Sequence, residues 1–186
     1  RSPRWLGIRD AVIGRDAIKA EFIPTDFVRF PLTYKKESTG PRGVHWRGAY
    51  TGKKVLHSGD MDVDHMVPIF RAAASEKFIP GLFSDLKQKQ AFTANMKNLV
   101  TVTRAENKVK GSFGITEWKP PLQSAVPKYA KAYHDVFKEY GMKMTVGEAA
   151  KYTEYTGKQP TVGLWNQEES NKINQWIATQ RMKSRP

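Results

Sequence analysis

The chain contains no cysteine, which removes disulfides, thiolate zinc sites and cysteine nucleophiles from consideration. It has no apolar run approaching the roughly 18 residues a transmembrane helix needs, so no membrane partner is expected. Histidine is scarce, with four in 186 residues, and imidazole chemistry therefore has few candidates. Acidic side chains are outnumbered, 18 against 31 Lys and Arg, which leaves a net charge of +13. There is no initial Met: the chain opens at Arg1, and an upstream segment is expected, a signal peptide being one form of it. The lack of cysteine suits either cytoplasm or a secreted bacterial protein, and leaves both compartments open.

What is present reads as an ordinary globular protein, 39% hydrophobic and 26% charged, long enough to bury a real core. The basic excess is spread along the chain. Residues 1–60 carry 12 basic and 6 acidic groups, residues 61–124 carry 9 and 6, and residues 125–186 carry 10 and 6. Such a field favours polyanions through phosphate contacts and counterion release, although a merely basic protein would have the same charge.

Ser2-Pro3 followed by Trp5, Ile8, Val12, Ile13 and Ala17 at helical spacing predicts an amphipathic helix to about residue 20. Phe27 to Phe30 reads as extended, and Trp46 to Gly52 as a turn before a short strand at Val55-Leu56. Met61 to Val67 alternates like a half-buried strand. Residues 68–95 read as two helices broken at Pro80-Gly81, Leu99 to Val102 as a strand, and Arg104–Lys110 as a short helix ended by Gly111. Beyond Trp118-Lys119-Pro120-Pro121 the pattern is helical over about 125–140, 146–156 and 166–182, with a capping box at Thr145 and Glu148.

Chemistry concentrates in Asp62-Val63-Asp64-His65-Met66-Val67-Pro68 and in the later run from Asn98 through Asn107 to Gly111. Phosphodiester hydrolysis needs an activated water, neutralised phosphate charge and help for the leaving oxygen. An imidazole titrates near neutrality, which makes His65 the best general base. Asp64 offers an anionic oxygen and Asn107 a neutral carbonyl oxygen, both hard ligands for one divalent cation such as Mg²⁺. Two protein ligands leave positions open for water and phosphate, as catalysis requires. Strict strand alternation would send Asp64 and His65 to opposite faces. They converge only if the strand ends or bulges there, and Pro68 is compatible with an ending.

These residues resemble the ββα-metal core of HNH endonucleases, also called His-Me finger nucleases. The Asp62–Pro68 run and the Asn98-to-Asn107 spacing are similar to the HNH domain of CRISPR effector nucleases. Trp46-Arg47-Gly48-Ala49-Tyr50-Thr51-Gly52 upstream, with Asn107-x-x-Lys110-Gly111 and Glu117-Trp118-x-Pro120-Pro121 downstream, resembles small bacterial HNH nucleases, many of them secreted. The resemblance covers about residues 44–121. It implies an α+β fold in which a short antiparallel β-hairpin plus helix is embedded in surrounding helices. It also implies Asp64 and Asn107 as metal ligands, His65 as the base, and Asn98 as the residue that braces the histidine loop. The family's last His is replaced here by Gly111, one helical turn after Asn107, which favours Mg²⁺, with Mn²⁺ as second choice, over zinc or nickel.

Other residues have plainer readings. Asp62 either orients His65, binds the cation or faces solvent at the strand edge. Lys110 and Arg104 either grip phosphate and stabilise transition-state charge or are solvated helix charges. His45, His57 and His134 have no partner at ligand spacing, and Trp46, Tyr50 and Trp118 read as core or bracing residues. Thr145 to Tyr152 with Thr161 to Trp165 faintly resembles an excisionase-type helix-turn-helix, but Gly163 would fall inside the recognition helix. A helical lid on the core is the simpler expectation.

The expected organisation is an N-terminal helical and extended segment over 1–43, an HNH core over 44–121 and a C-terminal helical extension over 122–186. The expected activity is metal-dependent cleavage of double-stranded DNA, with RNA as a further substrate and little sequence preference. Two alternatives stand beside it: a sequence-specific restriction or homing endonuclease read out by the C-terminal helices, and a non-catalytic nucleic-acid-binding HNH module.

Overall fold

The computed structural model describes residues 37–38, 44–55 and 60–182, with 37–38 and 44–46 described through their backbone alone. The N-terminal helix over Trp5 to Ala17, the Phe27–Phe30 segment, Leu56, His57 and the side chains of His45 and Trp46 lie outside these residues.

The fold is α+β. Among the described residues the strands run β1 (Glu37–Ser38), β2 (Val44–Arg47), β3 (Lys54–Val55), β4 (Met61–His65) and β5 (Leu99–Thr103). The helices are α1 (Ile69–Phe78), α2 (Leu86–Thr93), α3 (Arg104–Lys110), α4 (Val126–Glu139), α5 (Val146–Thr156) and α6 (Gln167–Met182). Strands β1, β2 and β3 form one small antiparallel sheet, and β4 and β5 form another. The β4–β5 pairing is regular from Met61↔Thr103 to His65↔Leu99. β5 is rich in branched residues, Val100, Thr101, Val102 and Thr103, which suit a pleated, half-buried surface. The amide of Ala49 donates to the Thr101 carbonyl at 3.0 Å and ties the turn after β2 to β5.

Local signals set the helix boundaries. Thr103 and Glu106 form a complete capping box that starts α3 directly from the end of β5. Gly111 ends that helix at φ +53°, a conformation suited to glycine. Thr145 and Glu148 form a second capping box at α5, and the left-handed Gly157 closes it. The break expected at Pro80-Gly81 separates α1 from α2.

The core is continuous from the hairpin into the C-terminal helices. Tyr50, Phe70, Phe92, Val102 and Ile115 pack with Tyr129, Tyr133, Phe137, Met142, Met144 and Tyr152. A satellite cluster joins Ala74 of α1 to Trp165, Ile173 and Ile177 around α6. Between these layers Arg71 donates through Nε to Glu148 Oε1 at 2.6 Å, and both side chains are buried. The helices after residue 122 therefore share the core of the 44–121 unit. Residues 158–166 contain no helix, and Met144 and Leu164 form an isolated parallel bridge. Gly163 thus lies outside any helix, and Val162 and Trp165 pack with the two core clusters, without helix-turn-helix geometry. Among the described residues no helix is long and apolar enough to cross a membrane.

Candidate active site

Asp62, Asp64, Asn107 and Lys110 gather where β4 and α3 meet, with His65 and Asn98 at the end of the hairpin. Because side chains alternate along a strand, Asp62 and Asp64 share one face of β4, and their contacts identify it as the face covered by α3. Asn107 Nδ2 donates to Asp62 Oδ2 at 2.5 Å, and the Val63 amide donates to Asp62 Oδ1 at 2.8 Å. One helical turn on, Lys110 Nζ lies 2.9 Å from Asp64 Oδ2 and also donates to the His65 carbonyl at 2.9 Å. Tyr50 donates its hydroxyl to the same Asp64 oxygen at 2.6 Å.

The Tyr50–Asp64–Lys110 group is buried, with side-chain exposures of 5% for Asp64 and 0% for Lys110. Burial pushes the Asp64 carboxyl up, opposed by the Lys110 ammonium and the Tyr50 hydroxyl. Burial also pushes Lys110 down, against the pull of Asp64. The Tyr50 phenol is raised well above its usual value, by burial first and by the Asp64 charge second, which keeps it a proton donor to the carboxylate. Tyr50 is in turn held edge-on by Trp118 and Tyr129, at ring separations of 4.7 and 5.9 Å. Both Tyr50 and Trp118 act as bracing residues, in keeping with their sequence reading.

Lys110 departs from both of its sequence readings. It is neither a solvated helix charge nor an exposed phosphate grip, because the last turn of α3 turns it inward onto Asp64. Gly48 permits the close packing nearby: a Cβ there would overlap the Glu106 carboxylate, which caps α3 from beneath the turn after β2.

The imidazole of His65 lies on the other side. The strand does end at His65, but its pairing is regular to that last residue, so alternation parts it from Asp64. Its Nε2 sits 2.8 Å from the carbonyl of Thr93 at the end of α2. A carbonyl only accepts, so Nε2 carries the proton, and in the neutral ring Nδ1 bears the lone pair. Thr93 contributes through its backbone, which has no sequence signature, and was invisible in the sequence for that reason.

Asn98 braces the turn that follows His65. The Val67 amide donates to Asn98 Oδ1 at 2.7 Å, and Asn98 Nδ2 donates to the Val67 carbonyl at 3.0 Å. Met66 adds a backbone bond to the Asn98 carbonyl at 2.9 Å. Asn98 is fully buried, and both ends of its amide are used on one residue.

As a cation site, the donors are Asp64 and Asn107, with Asp62 adjoining. All are hard oxygen ligands, which fits Mg²⁺ or Mn²⁺. A carboxylate offers about four lone-pair directions, so the Tyr50 and Lys110 contacts do not exhaust Asp64. Among the described residues no group of three or more His, Cys, Asp or Glu side chains converges on one point. A closed structural site built from those ligands is thus absent from them.

His134 has a structural role. His134 stacks on Tyr152 at 4.6 Å and accepts from the Thr161 amide at 3.0 Å. A cavity of about 320 Å³ lies between α5, α6 and residues 112–117, and its wall includes the Arg71–Glu148 pair and Arg181 with Glu117. It touches none of the candidate residues.

No protein-family model matches the chain, and no solved structure matches it. Over 111 residues the chain is 33% identical to an uncharacterized secreted protein of Arthroderma benhamiae. The match takes in 58% of this chain and 52% of that protein, so the chain spans about half the length of this relative.

Proposed function

We propose that the protein is an HNH-type endonuclease that uses a divalent cation to hydrolyse phosphodiester bonds in DNA, with RNA as a further substrate and little sequence preference. The observation that carries this reading is the Asn98 clamp on Val67. It fixes the turn two residues beyond His65, at the end of a hairpin whose following helix carries Asn107. A clamp of this kind holds an imidazole in place when the backbone around it must not move.

In this reading His65 takes a proton from water through Nδ1 while its Nε2–H stays on the Thr93 carbonyl, which requires the phosphate to lie across the end of β4, between His65 on one side and the Asp64 and Asn107 oxygens on the other. Asp64 and Asn107 would hold Mg²⁺ or Mn²⁺, which supplies neutralisation of the phosphate charge. Tyr50 and Lys110 keep Asp64 in place, and the net charge of +13 attracts the polyanion. The sequence-specific alternative draws no support from the C-terminal helices, which share the core of the 44–121 unit. The name of the Arthroderma relative supports a secreted location for this chain as well.

The test is incubation with supercoiled plasmid and Mg²⁺, beside EDTA and a His65→Ala control. Nicking or linearisation that both controls abolish is expected, passing on longer incubation into a smear and not into discrete fragments. Tight plasmid binding with no cutting in Mg²⁺, Mn²⁺ or Zn²⁺ would overturn the enzyme reading in favour of a binding module.

A further inference from the structure

We infer that Asp62 is a positioning residue that fixes which end of the Asn107 amide faces the cation; this rests on the nuclease reading above. An Asn side chain is nearly symmetric in shape but not in chemistry: one end donates and the other accepts. Only the oxygen end can ligate a cation, and the amide end would repel it. A carboxylate accepts and never donates when ionised, so Asp62 selects the amide end. The selection is tight, since Asn107 Nδ2 lies 2.5 Å from Asp62 Oδ2, a short charge-assisted contact. Asp62 cannot easily turn away, because its other oxygen accepts from the Val63 amide at 2.8 Å. The Asn107 carbonyl oxygen is therefore directed away from Asp62.

Two other roles would also put an acid here: a direct ligand to the cation, or a plain negative charge beside it. A double-mutant cycle separates them. In Asn107→Ala there is no amide to orient, and a role confined to orientation vanishes with it. A ligand or a charge would still matter in that background.

The experiment is Mn²⁺ titration by calorimetry on the full chain, comparing wild type, Asp62→Ala, Asn107→Ala and the double variant. Asp62→Ala is expected to weaken Mn²⁺ binding by about 10–100-fold, the usual range for an outer partner of a ligand. In the Asn107→Ala background the same substitution is expected to change affinity less than about threefold. Asp62→Val, which suits a strand, replaces Asp62→Ala if the alanine variant melts early. Unchanged affinity in Asp62→Ala overturns the inference, as does an equal loss in both backgrounds. Plasmid cutting by the wild type with a flat cycle overturns the role of Asp62 alone. A wild type that binds no Mn²⁺ overturns this inference and the cation half of the nuclease reading together.

Discussion

Lys110 Nζ lies 2.9 Å from the Asp64 carboxylate, and neither side chain reaches solvent beyond 5%. Two charges withdrawn from water in this way cost several kcal/mol each, and removing one partner strands the other. Lys110→Met is therefore expected to destabilise the protein by about 3–5 kcal/mol at neutral pH, with Asp64→Asn added to it recovering part of the loss. Urea unfolding in EDTA measures both.

The same pair gives a pH dependence of known sign. Burial places the folded Asp64 carboxyl above its unfolded value. Its contribution to stability is therefore greatest below about pH 4 and is lost as pH rises through the folded value. Lys110→Met removes the main counterweight and raises that carboxyl further. The melting-temperature gap between wild type and Lys110→Met should be smallest near pH 4 and widen toward pH 7. A gap that narrows toward neutrality would contradict the burial of an ionised Asp64.

Asn98 supplies both hydrogen bonds of the buried Val67 peptide groups. Asn98→Ala leaves a buried donor and acceptor without partners, each worth about 1–3 kcal/mol. Asn98→Asp keeps an acceptor for the Val67 amide but sets a carboxylate against the Val67 carbonyl. It should be at least as damaging as alanine, with chemical denaturation ranking the two.

His65 is half-buried, and its Nε2 bonds the backbone carbonyl of Thr93. His65→Ala should keep the fold and lower plasmid cleavage by about 10²–10⁴-fold, the span of general-base catalysis. A variant that is inactive because it is unfolded would show itself in the circular dichroism spectrum, and a folded, fully active variant would remove His65 from the mechanism.

Gly48 lies against the carboxylate of Glu106, where a Cβ has no room. Gly48→Ala should destabilise by about 1–3 kcal/mol through overpacking. Adding Glu106→Ala opens the space but gives up the α3 capping box, so the double variant should recover only part of the loss. Thermal melts of the three variants test the coupling.

The two strands, the capping box at Thr145 and Glu148 and the break at Pro80-Gly81 were legible because each depends on neighbours a few residues away. The roles of the site residues were less so. The sequence grouped Asp64 with His65 because they are adjacent, yet the regular β4–β5 pairing sends one toward Lys110 and the other toward Thr93. It left Asp62 between three roles, none of which was contact with Asn107. It left Lys110 between a phosphate grip and a solvated helix charge because nothing local says that the last turn of α3 faces inward.

The sequence by itself determined the alternation of β4, the start and stop of α3, and hence that Asp62, Asp64, Asn107 and Lys110 stand at positions able to meet. These follow from backbone hydrogen bonding and side-chain period, which are local. Only the tertiary structure decided who meets whom: Asn107 with Asp62, Lys110 with Asp64, His65 with the Thr93 carbonyl, and Arg71 with Glu148 across 77 residues. Burial and long-range packing make those choices, because a charge removed from water must find its partner wherever the fold has placed one.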